Sequence, residues 1–377
     1  MKFRVERDVL AEAVTWVARG VPSRPSVPIL AGILVEAADD GTLTLSAFDY
    51  EVSARITVSA DVEEAGTSLV LGRLLAEIAR NLPPRPVEVE TSGSKLQLIC
   101  GSSRFVLMQM PEHEYPTLPS SPEGSGSIEG DVFTKAVAQV SVAADRGDTL
   151  PILTGVRLEV EGDTMVLLAT DRYRLAIREL HWSPTDAAVS TVLLIPARTL
   201  ADTAKSLGAA GPITLALGER AGGDGLVGFE AGQRRSTTRL LDGDYPKVAS
   251  IIPASSESEA VVDTHELVEA VTRVALVAER TAPVRLHFTQ GQVVIEAGAG
   301  DDAQASEAVE ATMHGPDIEV AFNPTFLLDG LGALGAAYTR LAFTAPTKAV
   351  LLTGQSEVDA EVDATYRYVL MPVRFAS

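Results

Sequence analysis

The sequence predicts an α+β protein built as three copies of one domain, each with two helices packed on antiparallel sheets. Three observations predict it. First, a long phrase repeats. "VPILAGILVEAADDGTLTLSAFDYEVSARI" from Val27 matches "LPILTGVRLEVEGDTMVLLATDRYRLAIRE" from Leu150. Pro28-Ile29-Leu30 falls on Pro151-Ile152-Leu153, Gly32 on Gly155, and Asp49 on Asp171 after a one-residue gap. The period of about 123 residues is that of a domain, not of a solenoid turn. Second, the copies close alike. "MPEHEYPTLP" ends at Pro119 and "LLDGDYPKVASIIP" at Pro253, each followed by a polar stretch, "SSPEGSGS" or "ASSESE", of linker composition. Third, hydrophobic periodicities recur in the same order in each copy, including a last one that has lost the Pro-Ile-Leu phrase. Domains are expected at 1–122, 127–253 and 259–377.

Taken in order, each copy opens with helical spacing: "RDVLAEAVTWVARG", "DVFTKAVAQVSVAAD" and "THELVEAVTRVALVAE". In the third, Leu267, Val271, Val274 and Val277 share a face, and Thr264 is placed to cap the start. A second helical stretch follows mid-copy: "GRLLAEIARNL", "ARTLADTAKSLG" and "NPTFLLDGLGAL". Between them lie short alternating runs rich in Val, Leu, Ile and Thr with Gly and Asp turns, such as "DGTLTLSA", "PVEVETSGSKLQLIC" and "QVVIEAG". These read as antiparallel strands and hairpins, with one sheet face buried under the two helices.

Of the 377 residues, 46% are hydrophobic, enough for packed cores, but only 5% are aromatic, so aliphatic side chains carry the packing. The formal net charge of −20 argues against indiscriminate adhesion to nucleic acid or anionic membranes, without excluding a local basic surface. A lone cysteine, Cys100, rules out an internal disulfide or a multi-cysteine zinc site and fits a reducing cytoplasm. "MKFRVERDVL" has no hydrophobic core of a signal peptide, and no apolar run nears the roughly 20 residues of a membrane span.

Reaction chemistry is sparse. His113, His181, His265, His287 and His314 have no second ligand at metal spacing. No phosphate-binding GxxxxGK[ST] or GxSxG elbow occurs. "AGAGDD", from Ala297 to Asp302, reads as a hairpin tip rather than a calcium loop. Cys100 ends a strand pattern and reads as a core filler rather than a nucleophile. No cofactor and no metal are expected. With the whole architecture triplicated, the weight shifts from enzyme to scaffold.

The phrases "SRPSVPIL" (Ser23 to Leu30), "ATDRYRLA" (Ala169 to Ala176), "LLDGDYP" (Leu240 to Pro246), "FNPTFLLDGL" (Phe322 to Leu331) and the terminal "YVLMPVR" occur in one order along the chain. In them the sequence resembles the bacterial sliding clamps, the β subunits of DNA polymerase III, over essentially its whole length. The resemblance implies the DNA clamp fold, with two chains of three domains closing head to tail into a six-domain ring. Helices would line the hole and sheets form the outer wall. The ring would hold duplex DNA topologically and without sequence specificity. It would tether the polymerase III catalytic subunit, the clamp loader, other polymerases and repair factors through short peptide motifs.

Three sets of residues follow from the resemblance. A peptide pocket would be lined by Leu153, Thr170, Arg172, Tyr173, Arg174, Leu175, Pro246, Asn323, Phe326, Val369, Leu370, Met371, Pro372, Val373 and Arg374. Met371 offers an adaptable surface, Leu175, Leu370 and Pro372 would receive apolar anchors, and Arg174 and Arg374 would meet carbonyls or acids. Arg172-Tyr173 stands where some family members have a glycine and a histidine, so peptide preference is expected to differ. Candidate DNA cations are Arg24, Arg73, Arg80, Arg146, Arg198 and Lys205, making salt-sensitive phosphate contacts. The dimer contact would join Phe105 and Leu107 of one chain to Leu276 of the other. Core packing competes for each apolar residue and a plain solvated face for each cation. Two other classes remain beside the clamp: a triplicated peptide-binding scaffold with no DNA function, and an enzyme with a composite site between repeats. The ending "RYVLMPVRFAS" echoes "RFVLMQMP", and both read as late edge-region strands of their copies.

Overall fold

The computed structural model describes residues 1–147, 149–218, 225–248, 251–279, 282–298 and 303–374. The chain divides into two compact units, the first made of 1–133, 183–186 and 202–240, the second of 134–182, 187–201 and 241–377. Six α-helices occur among the described residues: α1 (Arg7–Val17), α2 (Gly72–Asn81), α3 (Gly130–Ser141), α4 (Ala197–Leu207), α5 (Thr264–Val274) and α6 (Pro324–Leu334). They are the six helical stretches expected, and all described strand pairs are antiparallel in the registers that link the sheets. No described helix is long and apolar enough to cross a membrane.

The first unit carries a five-stranded and a nine-stranded sheet. In the five-stranded sheet Ser103–Met108 is an edge, paired on one side with Lys95–Cys100. The nine-stranded sheet is joined in its middle by Val52–Ser59 pairing with Arg234–Arg239, so the first repeat and part of the second share one ladder. Helices α1 and α2 bury Leu10, Ala13, Val14 and Val17, and Leu75, Ala76 and Ala79, respectively. Their apolar stripe provides the unit's core. Cys100 is buried at its strand end, as a core filler should be.

A single twelve-stranded sheet runs through the second unit. Its middle repeats the same joint: Arg174–His181 of the second repeat pairs with Asp363–Leu370 of the third. The final strand is therefore interior, not an edge as expected. Ser103–Met108 alone of the two echoing phrases lies at a sheet edge. Helix α5 buries Leu267, Val271 and Val274, but its cap is Asp263, whose carboxylate accepts from Glu266 N at 3.0 Å. The expected cap, Thr264, instead turns its hydroxyl inward to Thr339 Oγ1 at 2.8 Å. Gly330 of α6 lies against the buried Tyr368 ring, where a Cβ would stand 2.3 Å from the nearest ring atom. Of the "AGAGDD" turn, 299–302 lie outside the described residues, as do 375–377 at the end of the chain.

The repeats are visible in detail. Both Pro-Ile-Leu phrases form short 3-10 turns, Pro28–Ala31 and Pro151–Thr154. Asp49 and Asp171 each accept two main-chain N–H groups from the residues two and three ahead. The residue after each aspartate has positive φ, Tyr50 at 76° and Arg172 at 79°. Tyr115 and Tyr245 of the "EYP" and "DYP" phrases each accept a main-chain N–H, from Phe48 at 2.8 Å and Thr170 at 3.0 Å.

Candidate functional site

The second unit gathers every residue expected in the peptide pocket. Its frame is the turn from Thr170 to Arg174. Asp171 Oδ1 accepts from Tyr173 N and Arg174 N, both at 3.0 Å, which closes an Asx turn. Thr170 Oγ1 donates to Arg174 O at 2.6 Å and accepts from Arg172 N at 3.2 Å. The turn needs Arg172 in the left-handed region, where a side chain other than glycine's costs about 1–2 kcal/mol. Arg172→Gly is expected to leave stability unchanged or up to about 1 kcal/mol higher in urea unfolding, relief of strain being partly offset by backbone entropy. A loss of stability would contradict strain at this position.

Beyond the turn, Arg174 pairs with Leu370 and Leu175 with Val369 across the sheet. The chain end is then held on both sides. Met371 N donates to Tyr173 O and Val373 N to Ala321 O, each at 2.8 Å. On the opposite side Asn323 caps α6, accepting from Thr325 N and Phe326 N at 2.9 and 3.2 Å. The cap fixes Phe326 in the first helical turn, and Tyr368 Oη donates to its carbonyl at 2.8 Å.

Exposure sorts the expected lining into a floor and a surface. Leu153, Thr170, Arg174, Leu175, Val369 and Leu370 are buried. Leu153, Leu175 and Val369 belong to one core cluster with Tyr245, and Met371 packs on its edge. Leu175 and Leu370, expected to receive anchors, are enclosed because the end of the last strand is covered on both faces. Arg172, Tyr173, Pro246, Val373 and Arg374 are exposed, while Asn323, Phe326, Met371 and Pro372 are half-buried. The accessible apolar surface is thus Met371, Pro372 and Val373 with the Tyr173 and Phe326 rings. Those rings stack at 6.3 Å between centroids.

Arg174 differs most from expectation. Its Nε donates to Asp171 Oδ2 at 2.8 Å and its Nη1 to Asp329 Oδ2 at 2.7 Å, with the guanidinium 4.2 Å from the Phe326 ring centroid. Burial disfavours its charge, yet hydrogen bonds to Asp329, Tyr368 and Asp171 outweigh this and hold its pKa above the ordinary arginine value. Its cation supports the site from beneath and does not face outward to acids. Burial also pushes Tyr245 up to about 12, so its hydroxyl stays neutral beside Thr170. Asp171, Asp329, Tyr245 and Tyr368 were absent from the expected lining. The only hint in sequence was the Asp-x-x-Arg spacing of Asp171 and Arg174.

All six candidate DNA cations are exposed. Arg24, Arg73, Arg80 and Lys205 belong to the first unit, Arg146 and Arg198 to the second. Arg73 reaches Val21 O at 3.3 Å, Arg80 reaches Ala76 O at 3.2 Å, and Arg146 lies 3.7 Å from Asp329. Of the expected dimer residues, Leu276 is 81% exposed and Phe105 38%, but Leu107 is only 4% exposed. The pleat turns Leu107 into the first unit's own core, while Val106 and Met108 of that strand are exposed.

Comparison with known proteins accords with this geometry. Family models of the DNA polymerase III beta subunit match in series: the N-terminal domain at residues 1–119, the central domain at 127–247 and the C-terminal domain at 249–374. The chain belongs to the DNA polymerase III beta subunit family. It is 56% identical to the beta sliding clamp of Streptomyces coelicolor, over 100% of both chains. Among solved structures, the DNA polymerase sliding clamp from Bacillus subtilis superposes with a TM-score of 0.92 at 29% identity, covering 100% of both chains. A sliding clamp from Pseudomonas aeruginosa solved bound to griselimycin superposes at 0.90 with 27% identity, again over 100% of both chains. The three repeats are clamp domains, and the beta subunit is a non-catalytic processivity factor, so the chain is not an enzyme.

Proposed function

We infer that this chain works as a DNA sliding clamp: two copies close head to tail around duplex DNA, and a surface on each tethers polymerases and other factors. The ring is supported by a joint that occurs twice within the chain. Val52–Ser59 takes Arg234–Arg239 as its outer neighbour, and Arg174–His181 takes Asp363–Leu370. The corresponding strand of the third repeat, Ala305–His314, pairs through residues 305–311 with Gly291–Ala297. Among the described residues, no strand takes the other side of residues 305–310. Ser103–Met108, the counterpart of Arg234–Arg239 and Asp363–Leu370, is likewise an edge with no outer neighbour described. The third joint is left open among the described residues, and forming it with a second copy, once at each end, closes a ring of two chains. Phe105 and Leu276 then meet at the joint, with Leu107 backing them.

On this reading the domains run 1–122, 127–253 and 259–377. The ranges matched by the family models support boundaries near these positions. Arg24, Arg73, Arg80, Arg146, Arg198 and Lys205 face DNA phosphates, and the acidic remainder keeps DNA off other surfaces. Short peptides of the polymerase III catalytic subunit, the clamp loader and repair factors dock on Tyr173, Phe326, Met371, Pro372 and Val373, with Arg374 and Pro246 at the rim. The protein works in the cytoplasm, on the nucleoid. Sedimentation tests the assembly: the chain should run at twice 39.7 kDa. Leu276→Asp should halve that mass without altering the fold, since Leu276 is 81% exposed within its own chain. A Leu276→Asp variant that remains fully dimeric would contradict this interface.

A further inference from the structure

The Asp329 carboxylate lies between two arginines of opposite surroundings. Its Oδ2 accepts from Arg174 Nη1 at 2.7 Å and lies 3.7 Å from Arg146 Nη2. The Arg174 side chain is 3% exposed and that of Arg146 73%. Asp329 sits on α6 three residues after Phe326, a spacing that places both on one helix face. Arg174 lies 4.2 Å from the Phe326 ring centroid and bonds to Asp171, the residue that closes the turn carrying Tyr173. Tyr173 stacks on Phe326, and its carbonyl accepts from Met371 N. One carboxylate therefore ties α6, the turn and the chain end together through one buried cation.

We propose that Asp329 is a positioning residue for the peptide-binding surface, and that through Arg174 it transmits to that surface a change of charge at Arg146. The role in ligand binding rests on the function proposed above. The physical basis is competition for one oxygen. An anion that draws Arg146 away, such as a DNA phosphate, leaves Oδ2 wholly to Arg174 and tightens the charge-assisted bond under the Phe326 ring. By linkage, a ligand that favours the tightened arrangement strengthens the response at Arg146 equally.

The test uses the full chain in four forms: unmutated, Asp329→Asn, Arg146→Gln and the double variant. Amide hydrogen exchange reads the Thr170–Arg174 turn and the Met371 amide, and calorimetry reads the affinity for griselimycin. Asp329→Asn should speed exchange at these amides and weaken griselimycin about tenfold. Arg146→Gln should slow exchange there, by up to about fivefold. In the Asp329→Asn background the same substitution should change nothing. That last result separates transmission from general loosening, which would leave the Arg146→Gln effect in place. If Asp329→Asn does not fold, Asp329→Glu replaces it, with a reduced but still detectable response to Arg146→Gln. An Arg146→Gln effect of the same size in both backgrounds, or no effect at these amides in either, overturns the proposal. Exchange coupling without griselimycin binding supports the positioning role and counts instead against the proposed ligand surface.

Discussion

Arg174→Ala is expected to lower the stability of the chain by about 3–5 kcal/mol, the range found when one member of a buried ion pair is removed. The cost arises chiefly from what remains. The Asp171 side chain is 10% exposed and loses its close cation with little access to water, while that of Asp329, 26% exposed, is left with only the more distant Arg146 at 3.7 Å. Asp171 keeps its two main-chain donors, which softens the loss at the turn. Phe326 loses the guanidinium packed 4.2 Å from its ring centroid. Arg174→Lys retains a charge but not the two-sided fork and should cost less, about 1–3 kcal/mol. Urea unfolding of the three proteins measures the difference. A loss below about 1 kcal/mol for Arg174→Ala would mean that the two aspartates are satisfied by other groups.

Met371→Asp should abolish ligand binding while leaving the fold and the dimer in place. Met371 is half-buried at the edge of the Leu153–Leu175–Val369 cluster, so its side chain adds to the core without being enclosed by it. A carboxylate there can turn to solvent in the free protein. Beneath a bound apolar ligand it would be desolvated without a partner, a penalty of several kcal/mol. Affinity for a short peptide of the polymerase III catalytic subunit, the ligand proposed for this surface, is therefore expected to fall by more than about a hundredfold, with a sedimentation profile like that of the unmutated chain. Unfolding of Met371→Asp would place Met371 in the core instead of on a binding surface.

The sequence made local and repeated structure legible, because a phrase that recurs must solve the same local problem twice. Pro28-Ile29-Leu30 and Pro151-Ile152-Leu153 form the same turn, and Asp49 and Asp171 the same side-chain-to-main-chain bonds. What it hid was long-range. Asp329 lies 155 residues from Arg174, and no spacing announces that pair. Leu107 could not be separated from Phe105 by residue type or by strand period, because two residues apart they share one sheet face and differ only in how far along that face the core reaches. The same holds for Leu370, enclosed only because its strand is interior. Asp263 and Thr264 are both good caps by type, and the choice went to Asp263 because the Thr264 hydroxyl meets Thr339 in the interior.

The most direct test of the account is retention on DNA. The chain would be loaded onto a nicked circular duplex, separated from free protein at a salt concentration that suppresses simple phosphate contacts, and counted before and after the circle is cut. A closed ring predicts retention on the intact circle and rapid loss from the linear form, where the ring slides off the ends. Equal release from circular and linear DNA would contradict it, since a protein held only by surface contacts has no means of sensing a distant end.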